Sequence, residues 1–413
     1  KLHFDVSYEP VVADGLVFVP SMVTDSISAY STETGELKWR FHTDGPVRFA
    51  PAVYSGNVYA GSDDGCLYCL DAQTGEPVWK VRGAPSERKV IGNRRMISMR
   101  PVRGAPVVYG STVYFAAGIW PFMGICIHAV DAETGKVIWT NSGSGASWTV
   151  QQHSSPAFAG VVPQGYIAAS ENVLLVSGGR TVPAAYSRKT GTFLYYRVAS
   201  RQFGKDAGGY EVTIAGDRFF NGTAMYDLRT GKGILSFEKK PGLITRDTAY
   251  LCQYGYLAAL RIPSCDIDEI LGDKGFRSLK TDDIRWSPLS PCPERVFLKA
   301  GKRIYCGARD GTVMAVEPDE TSGAAVTWKQ KISGSPWSMA AADSRLFVVT
   351  REGTLVCFGG KKRKPVTYSL NAPLKNQGDG WGMKAEQLLK RTGVRDGYAL
   401  VLGVRSGRLI EEL

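Results

Sequence analysis

The chain has 413 residues, a formal net charge of +11, 44% hydrophobic and 22% charged side chains, and 47 glycines. That balance excludes general disorder, because it supplies enough apolar surface to build a core. No run of about 18 apolar residues occurs, so no membrane-spanning helix is expected.

A repeated turn sets the order of the chain. Ser31-Thr-Glu-Thr-Gly-Glu-Leu-Lys-Trp39, Asp71-Ala-Gln-Thr-Gly-Glu-Pro-Val-Trp79 and Asp131-Ala-Glu-Thr-Gly-Lys-Val-Ile-Trp139 share one design. Each leaves an apolar strand, turns at Thr-Gly, and begins a strand that carries Trp. Gly supplies the positive φ of a tight hairpin, and Trp brings a large apolar face to bury. Weaker copies stand at Ser187–Gly191 and Asp227–Gly231. Thr34 to Thr74 is 40 residues and Thr190 to Thr230 is again 40, while the 60 and 56 residues between them suggest insertions.

Ahead of the second turn, Ala50–Tyr54, Asn57–Ser62 and Cys66–Leu70 read as three short strands separated by Ser55-Gly56 and Asp64-Gly65. Equivalent second strands recur at Leu16–Val19, Val58–Ala60, Val113–Ala116, Leu174–Val176, Arg218–Phe220, Ala249–Leu251, Arg303–Tyr305 and Leu346–Val349. Eight four-stranded units of about 40 residues, without helical periodicity, predict an all-β, eight-bladed β-propeller over residues 1–370. The repeat weakens late: the sixth unit replaces its turn with a loop from Cys265, and the seventh keeps Glu317–Gly323 with Trp328. The eighth is completed either by Val366–Leu370 or by Lys1–Asp5. Residues 371–384 then read as a linker. A short α/β tail over 385–413 follows, with a helix at Ala385–Gly393, a strand at Tyr398–Gly403 and a helix start at Arg408.

Cys66 and Cys69 spell CxxC inside a strand, where residues three apart face opposite sides, so they read as buried thiols and not as metal ligands. Cys252, Cys265, Cys292 and Cys306 leave a disulfide open. The positive charge is spread over turns and a loop at Lys361–Lys364, so nucleic acid is not the expected partner. No metal site and no catalytic residue is expected. Innermost strands begin where the chain enters each unit, which places Arg48, Arg100, Arg103, His153, Arg246 and Trp337 at one mouth of the central channel. Cations beside an aromatic suit a small anionic ligand or an acidic peptide, with local pairing to carbonyls and carboxylates as the alternative.

The Asp-Ala-x-Thr-Gly-x-x-x-Trp turn, preceded by Asp-Gly-x-Leu-Tyr-x-Leu, resembles the tryptophan-docking repeat of the pyrroloquinoline-quinone (PQQ)-like propeller superfamily over about residues 6–370. The resemblance implies that Trp39, Trp79 and Trp139 pack between adjacent blades. It also implies one of two functions: a PQQ- and calcium-dependent dehydrogenase, or a non-enzymatic propeller such as the outer-membrane assembly lipoprotein. The chain has no adjacent Cys-Cys pair and its acids fall mostly at turns. The expectation is therefore a monomeric, non-catalytic binding or scaffold module of the periplasm or cell envelope, with no cofactor of its own. The insert Arg88–Arg103, with Ala117–Gly124, looks like large planctomycete-type propeller proteins that carry a methyltransferase-like segment. Leu402-Gly-Val-Arg-Ser-Gly407 is similar to the S-adenosylmethionine-binding first motif of such segments, which would give Gly403 and Gly407 contact with that cofactor and implies, as a further alternative, a truncated piece of an S-adenosylmethionine-dependent methyltransferase that the propeller serves. Val404-Arg405 stands where the middle Gly of that motif belongs.

Overall fold

The structure, a computed structural model, describes the chain outside residues 1–8, 93–94, 145–146, 151–154, 179–180, 198–207, 238–239, 254–255, 263–276, 279–283, 287–292, 320–322, 362–363, 369–378, 398 and 404–406. His153, Lys1–Asp5, Cys265 and Cys292 therefore lie outside the described residues. The chain divides into two units, Lys1–Arg363 and Lys364–Leu413.

The first unit is a succession of antiparallel meanders. The first sheet runs Val11–Ala13, Leu16–Ser21, Ser26–Ser31, Leu37–His42, and the second Ala52–Tyr54, Asn57–Gly61, Cys66–Asp71, Pro77–Arg82. The third has eight strands in two halves. Its near half is Val102–Tyr109, Thr112–Ala117, Cys126–Asp131 and Val137–Asn141; its far half is Gly165–Ala169, Val173–Val176, Ala184–Ser187 and Phe193–Tyr195. The halves join through their first strands, which pair in parallel at Gly104 with Gly165 and Ala105 with Tyr166. The fourth sheet is Thr213–Ala215, Arg218–Asn221, Ala224–Asp227 and Gly233–Ser236, edged by Arg277–Ser278. The fifth is Leu243–Ile244, Thr248–Gln253, Tyr256–Arg261 and Ile284–Trp286. Arg295–Ala300, Arg303–Gly307, Thr312–Asp319 and Gly323–Lys331 form the sixth, and Pro336–Ala342, Arg345–Thr350 and Leu355–Gly359 the seventh. Residues 366–368 are in no strand, which corrects the expectation that Val366–Leu370 completes the last meander.

Most inner strands are buried on both faces because successive sheets stack on one another. In the second sheet Val58 and Ala60 join Phe18, Ile27 and Trp39, while Tyr59 between them joins Phe115 and Val130. Period-two alternation thus feeds two separate cores. Cys66 and Cys69 follow the same rule, one in each core, and burial pushes their thiols up to about 11 and about 12. They are inert packing groups. Cys252 and Cys306 are free thiols. The series returns to its start: the first strands of the first and seventh sheets lie against each other, and Thr32 Oγ1 donates to Asp343 Oδ2 at 3.2 Å.

The repeated turn has two jobs. Its leading Asp caps it, since Asp131 Oδ1 accepts from the Thr134 amide at 2.8 Å and from Thr134 Oγ1 at 2.7 Å. Those bonds hold the Asp131 carboxyl below its usual range. The turn is also a dock for the preceding meander. Trp39 Nε1 donates to Ala72 O at 3.0 Å, Trp79 Nε1 to Ala132 O at 3.1 Å, and Trp139 Nε1 to Arg188 O at 3.1 Å. A Cβ on Gly135 would stand 2.8 Å from the Trp79 ring, and one on Gly191 2.4 Å from Trp139. Glycine is thus required at these places both for positive φ and for the approach of the indole. Tyr195 continues the series, donating to Leu228 O at 2.7 Å and lying over Gly231.

The second unit contains helix α1, Trp381–Thr392, closed by the left-handed Gly393 whose amide bonds Leu389 O at 2.9 Å. Helix α2, Arg408–Glu412, is short. Arg408 ties them, pairing with Asp379 at 2.8 Å and with Glu411 and Glu412 at 2.5 Å each. Residues 399–403 form no strand, and Leu400 and Leu402 are exposed. The apolar run expected to be a strand has no partner ladder among the described residues of this unit, and an unpaired strand gains nothing from extension.

Candidate functional site

Side chains at or just before the first strands of several sheets meet in one cluster. Glu9 precedes the first sheet, Tyr166 sits in the far half of the third, and Tyr210 and Glu211 precede the fourth. Lys240 precedes the fifth, Arg295 opens the sixth, and Trp337 lies in the first strand of the seventh. Glu211 is held between Lys240, with which it forms an ion pair, and Arg295 at 3.8 Å. Lys240 Nζ stands 5.6 Å over the Tyr210 ring. Arg295 lies 4.9 Å over Phe297 and 5.4 Å over Trp337, and its Nη1 donates to Trp337 O at 3.1 Å. Arg351 covers the same indole at 4.8 Å.

Electrostatics separates the two carboxyls. Burial raises the Glu9 carboxyl above its usual range and the like charge of Glu211 adds to this, while Tyr166, Arg295 and Lys240 pull it back. Burial also works to raise Glu211, but Lys240 and Arg295 outweigh it and hold that group below the usual range. The Tyr166 hydroxyl is driven up by burial and by Glu9. Beside this cluster a cleft of about 240 Å³ is lined by Glu211, Asn221, Lys240, Phe220, Leu243 and Phe297. Cations, a retained carboxylate and aromatic faces in one place can hold a charged segment by paired hydrogen bonds and cation–π contact.

The residues singled out from sequence separate in the structure. Trp337 belongs to the cluster. Arg48 and Arg103 come together on buried Asp63, with Arg48 Nε at 2.7 Å from Oδ2 and Arg103 Nε at 2.8 Å from Oδ1. All three side chains are more than nine-tenths buried, so this pair braces the fold and presents no free charge to a ligand. Arg100 donates from Nε to Met123 O at 2.8 Å and braces the loop at Pro121–Met123. Arg246 is exposed in the turn before Thr248–Gln253, and His153 lies outside the described residues. Gly403 and Gly407 take φ of +75° and +73°, with no atom within 4 Å of where a Cβ would stand. The sequence reading missed Glu9, Tyr166, Tyr210, Glu211, Lys240, Arg295 and Arg351. The same rule, applied to every polar residue just upstream of a first strand, finds most of them.

Calcium-assisted quinone chemistry would need several carboxylates or amides around one cation and an open aromatic platform. Among the described residues no three His, Cys, Asp or Glu side chains gather into such a group. Glu211 is occupied by two cations, and the Trp337 ring carries two guanidinium groups. The described residues do not fit that cofactor.

Meandering sheets stacked face to face, with docking aromatics on Thr-Gly turns, define a β-propeller built of PQQ-like repeats. The family model of the outer membrane protein assembly factor BamB matches residues 4–142 and 123–244, which together exceed half of the chain. The chain belongs to that family. It is 34% identical over 143 residues to the dehydrogenase subunit of a quinone alcohol dehydrogenase from Gluconacetobacter polyoxogenes, covering 32% of this chain and 19% of that one. It is 27% identical over 135 residues to the assembly factor BamB of Yersinia pestis, covering 32% of each. These matches thus span a third or less of the relatives' lengths. The crystal structure of BamB from Moraxella catarrhalis superposes with a TM-score of 0.53 at 16% identity, over 89% of this chain and 97% of that one, which is a likeness of fold.

Proposed function

We propose that this chain is an eight-bladed propeller that acts as a non-catalytic binding or scaffold module, engaging an acidic protein segment at the channel mouth. In support of that count, the meanders among the described residues number eight when the two halves of the third sheet are taken separately. The observation that carries the binding assignment is the convergence of Lys240, Arg295 and Arg351 around Glu211 and Trp337 beside a cleft of mixed polar and apolar lining. Membership of an assembly-factor family supports a protein partner and is consistent with a place in the cell envelope. A dehydrogenase function is disfavoured by the lack of a fitting donor set among the described residues.

Titration with a glutamate-rich peptide, followed by Trp fluorescence, tests this. Saturable, salt-sensitive binding weakened roughly tenfold by Arg351→Ala is expected. Binding that Arg351→Ala leaves unchanged, or no binding at low salt, refutes it.

A further inference from the structure

A second surface lies at the same end of the propeller, away from the mouth cluster. In a meander, the turn between second and third strands is at the end where the first strand begins. The turn carrying Val23 in the first sheet and the loop Trp120–Phe122 in the near half of the third sheet both lie there. So does an inserted hairpin, Lys89–Gly92 paired with Arg95–Ser98. Hydrogen bonds tie the three into one patch. Arg95 pairs with Asp25 and donates from Nη2 to Val23 O at 2.8 Å, and Arg100, two residues past the hairpin, clamps Met123 O. From these anchored backbones Val23, Ile91, Met96, Trp120 and Phe122 project with 65%, 68%, 45%, 54% and 66% of their surface exposed. Trp120 and Phe122 stack at 6.0 Å with 22° between their planes. Large apolar side chains held outward on braced loops mark a surface that something covers.

Charge chooses the occupant. Of the basic side chains in residues 82–103, Arg82 pairs with Glu87 at 2.6 Å, Arg95 with Asp25 and buried Arg103 with Asp63, and Arg100 bonds Met123 O. Arg88 and Lys89 are exposed and have no ion-pair partner among the described residues. The apolar residues sit on three separate projecting loops, so a flat surface meets them together where a single helix would need a groove. We propose that this patch seats the propeller on a bilayer surface rich in anionic headgroups. Trp120 and Phe122 enter the headgroup layer, and Arg88 and Lys89 pair with lipid phosphates.

Co-sedimentation of the full chain with phosphatidylcholine vesicles, with and without phosphatidylglycerol, is the test. Binding to the anionic vesicles is expected, falling roughly tenfold or more both in W120S/F122S and in R88E/K89E. Thermal melts of both variants should match the parent, since the altered side chains are exposed. Absence of binding to anionic vesicles overturns the proposal, as does binding that neither pair of substitutions weakens. Capture of an acidic amphipathic peptide through these residues, without vesicle binding, assigns the patch to a protein and overturns it equally.

Discussion

From Trp39 to Gly231 the propeller is held by one device, and from Leu243 to Gly359 by others. In the first region an aromatic side chain four residues past each Thr-Gly turn reaches the next turn and bonds a carbonyl there, at Trp39, Trp79, Trp139 and Tyr195. In the second, Trp328 rests edge-on against Phe358 at 5.1 Å and 73°, and packing such as that of Leu257 with Val296, Ile304 and Met314 joins the sheets. Neighbouring sheets there pack by apolar stacking with scattered polar ties such as Arg295 Nη1 to Trp337 O, and the docking turn adds a repeated register. Where docking lapses, Lys240, Arg295 and Arg351 gather around Glu211 and Trp337.

Substitutions can break that contrast, beginning with the largest effect. Asp63→Asn leaves Arg48 and Arg103 buried without their counter-charge and should cost about 3–5 kcal/mol in denaturant unfolding. Trp139→Ala removes a dock and should cost about 2–4 kcal/mol. A loss below about 0.5 kcal/mol would show that the turn does not register the blades. Tyr195→Phe keeps the ring and removes only the bond to Leu228 O, at an expected cost of about 1 kcal/mol. An unchanged midpoint would make Tyr195 plain packing.

The smallest effect depends on pH. His128 is buried against Phe115, with its nitrogens 2.9 Å from Thr140 Oγ1 and 2.9 Å from Gly83 O, and burial holds its imidazole below its usual 6.5. Its contribution is complete above pH 6.5 and is lost as pH falls through the lowered folded value, because the unfolded chain takes up the proton first. His128→Gln should flatten the pH dependence of stability just below pH 6.5; an unaltered slope would assign it to other groups.

Much of the fold was legible in the sequence because a docking turn is local. Asp131, Gly135 and Trp139 carry their roles within nine residues, and the spacing alone would have admitted Tyr195 to the series. The mouth was less legible. Glu211, Lys240 and Arg295 are far apart in the chain, and only ring geometry brings them together. In sequence Arg48 and Arg103 read as ligand cations, because nothing local shows that Asp63, in the turn after Asn57–Gly61, reaches both. The tail misled for the same reason. Tyr398–Gly403 has the composition of a strand, but a strand needs a neighbour that composition cannot supply.

The most direct test of a non-catalytic mouth is titration of the full chain with pyrroloquinoline quinone and Ca²⁺, followed by absorbance and by alcohol-dependent dye reduction. The account predicts neither saturable binding nor dye reduction. Stoichiometric quinone binding accompanied by alcohol oxidation would contradict it.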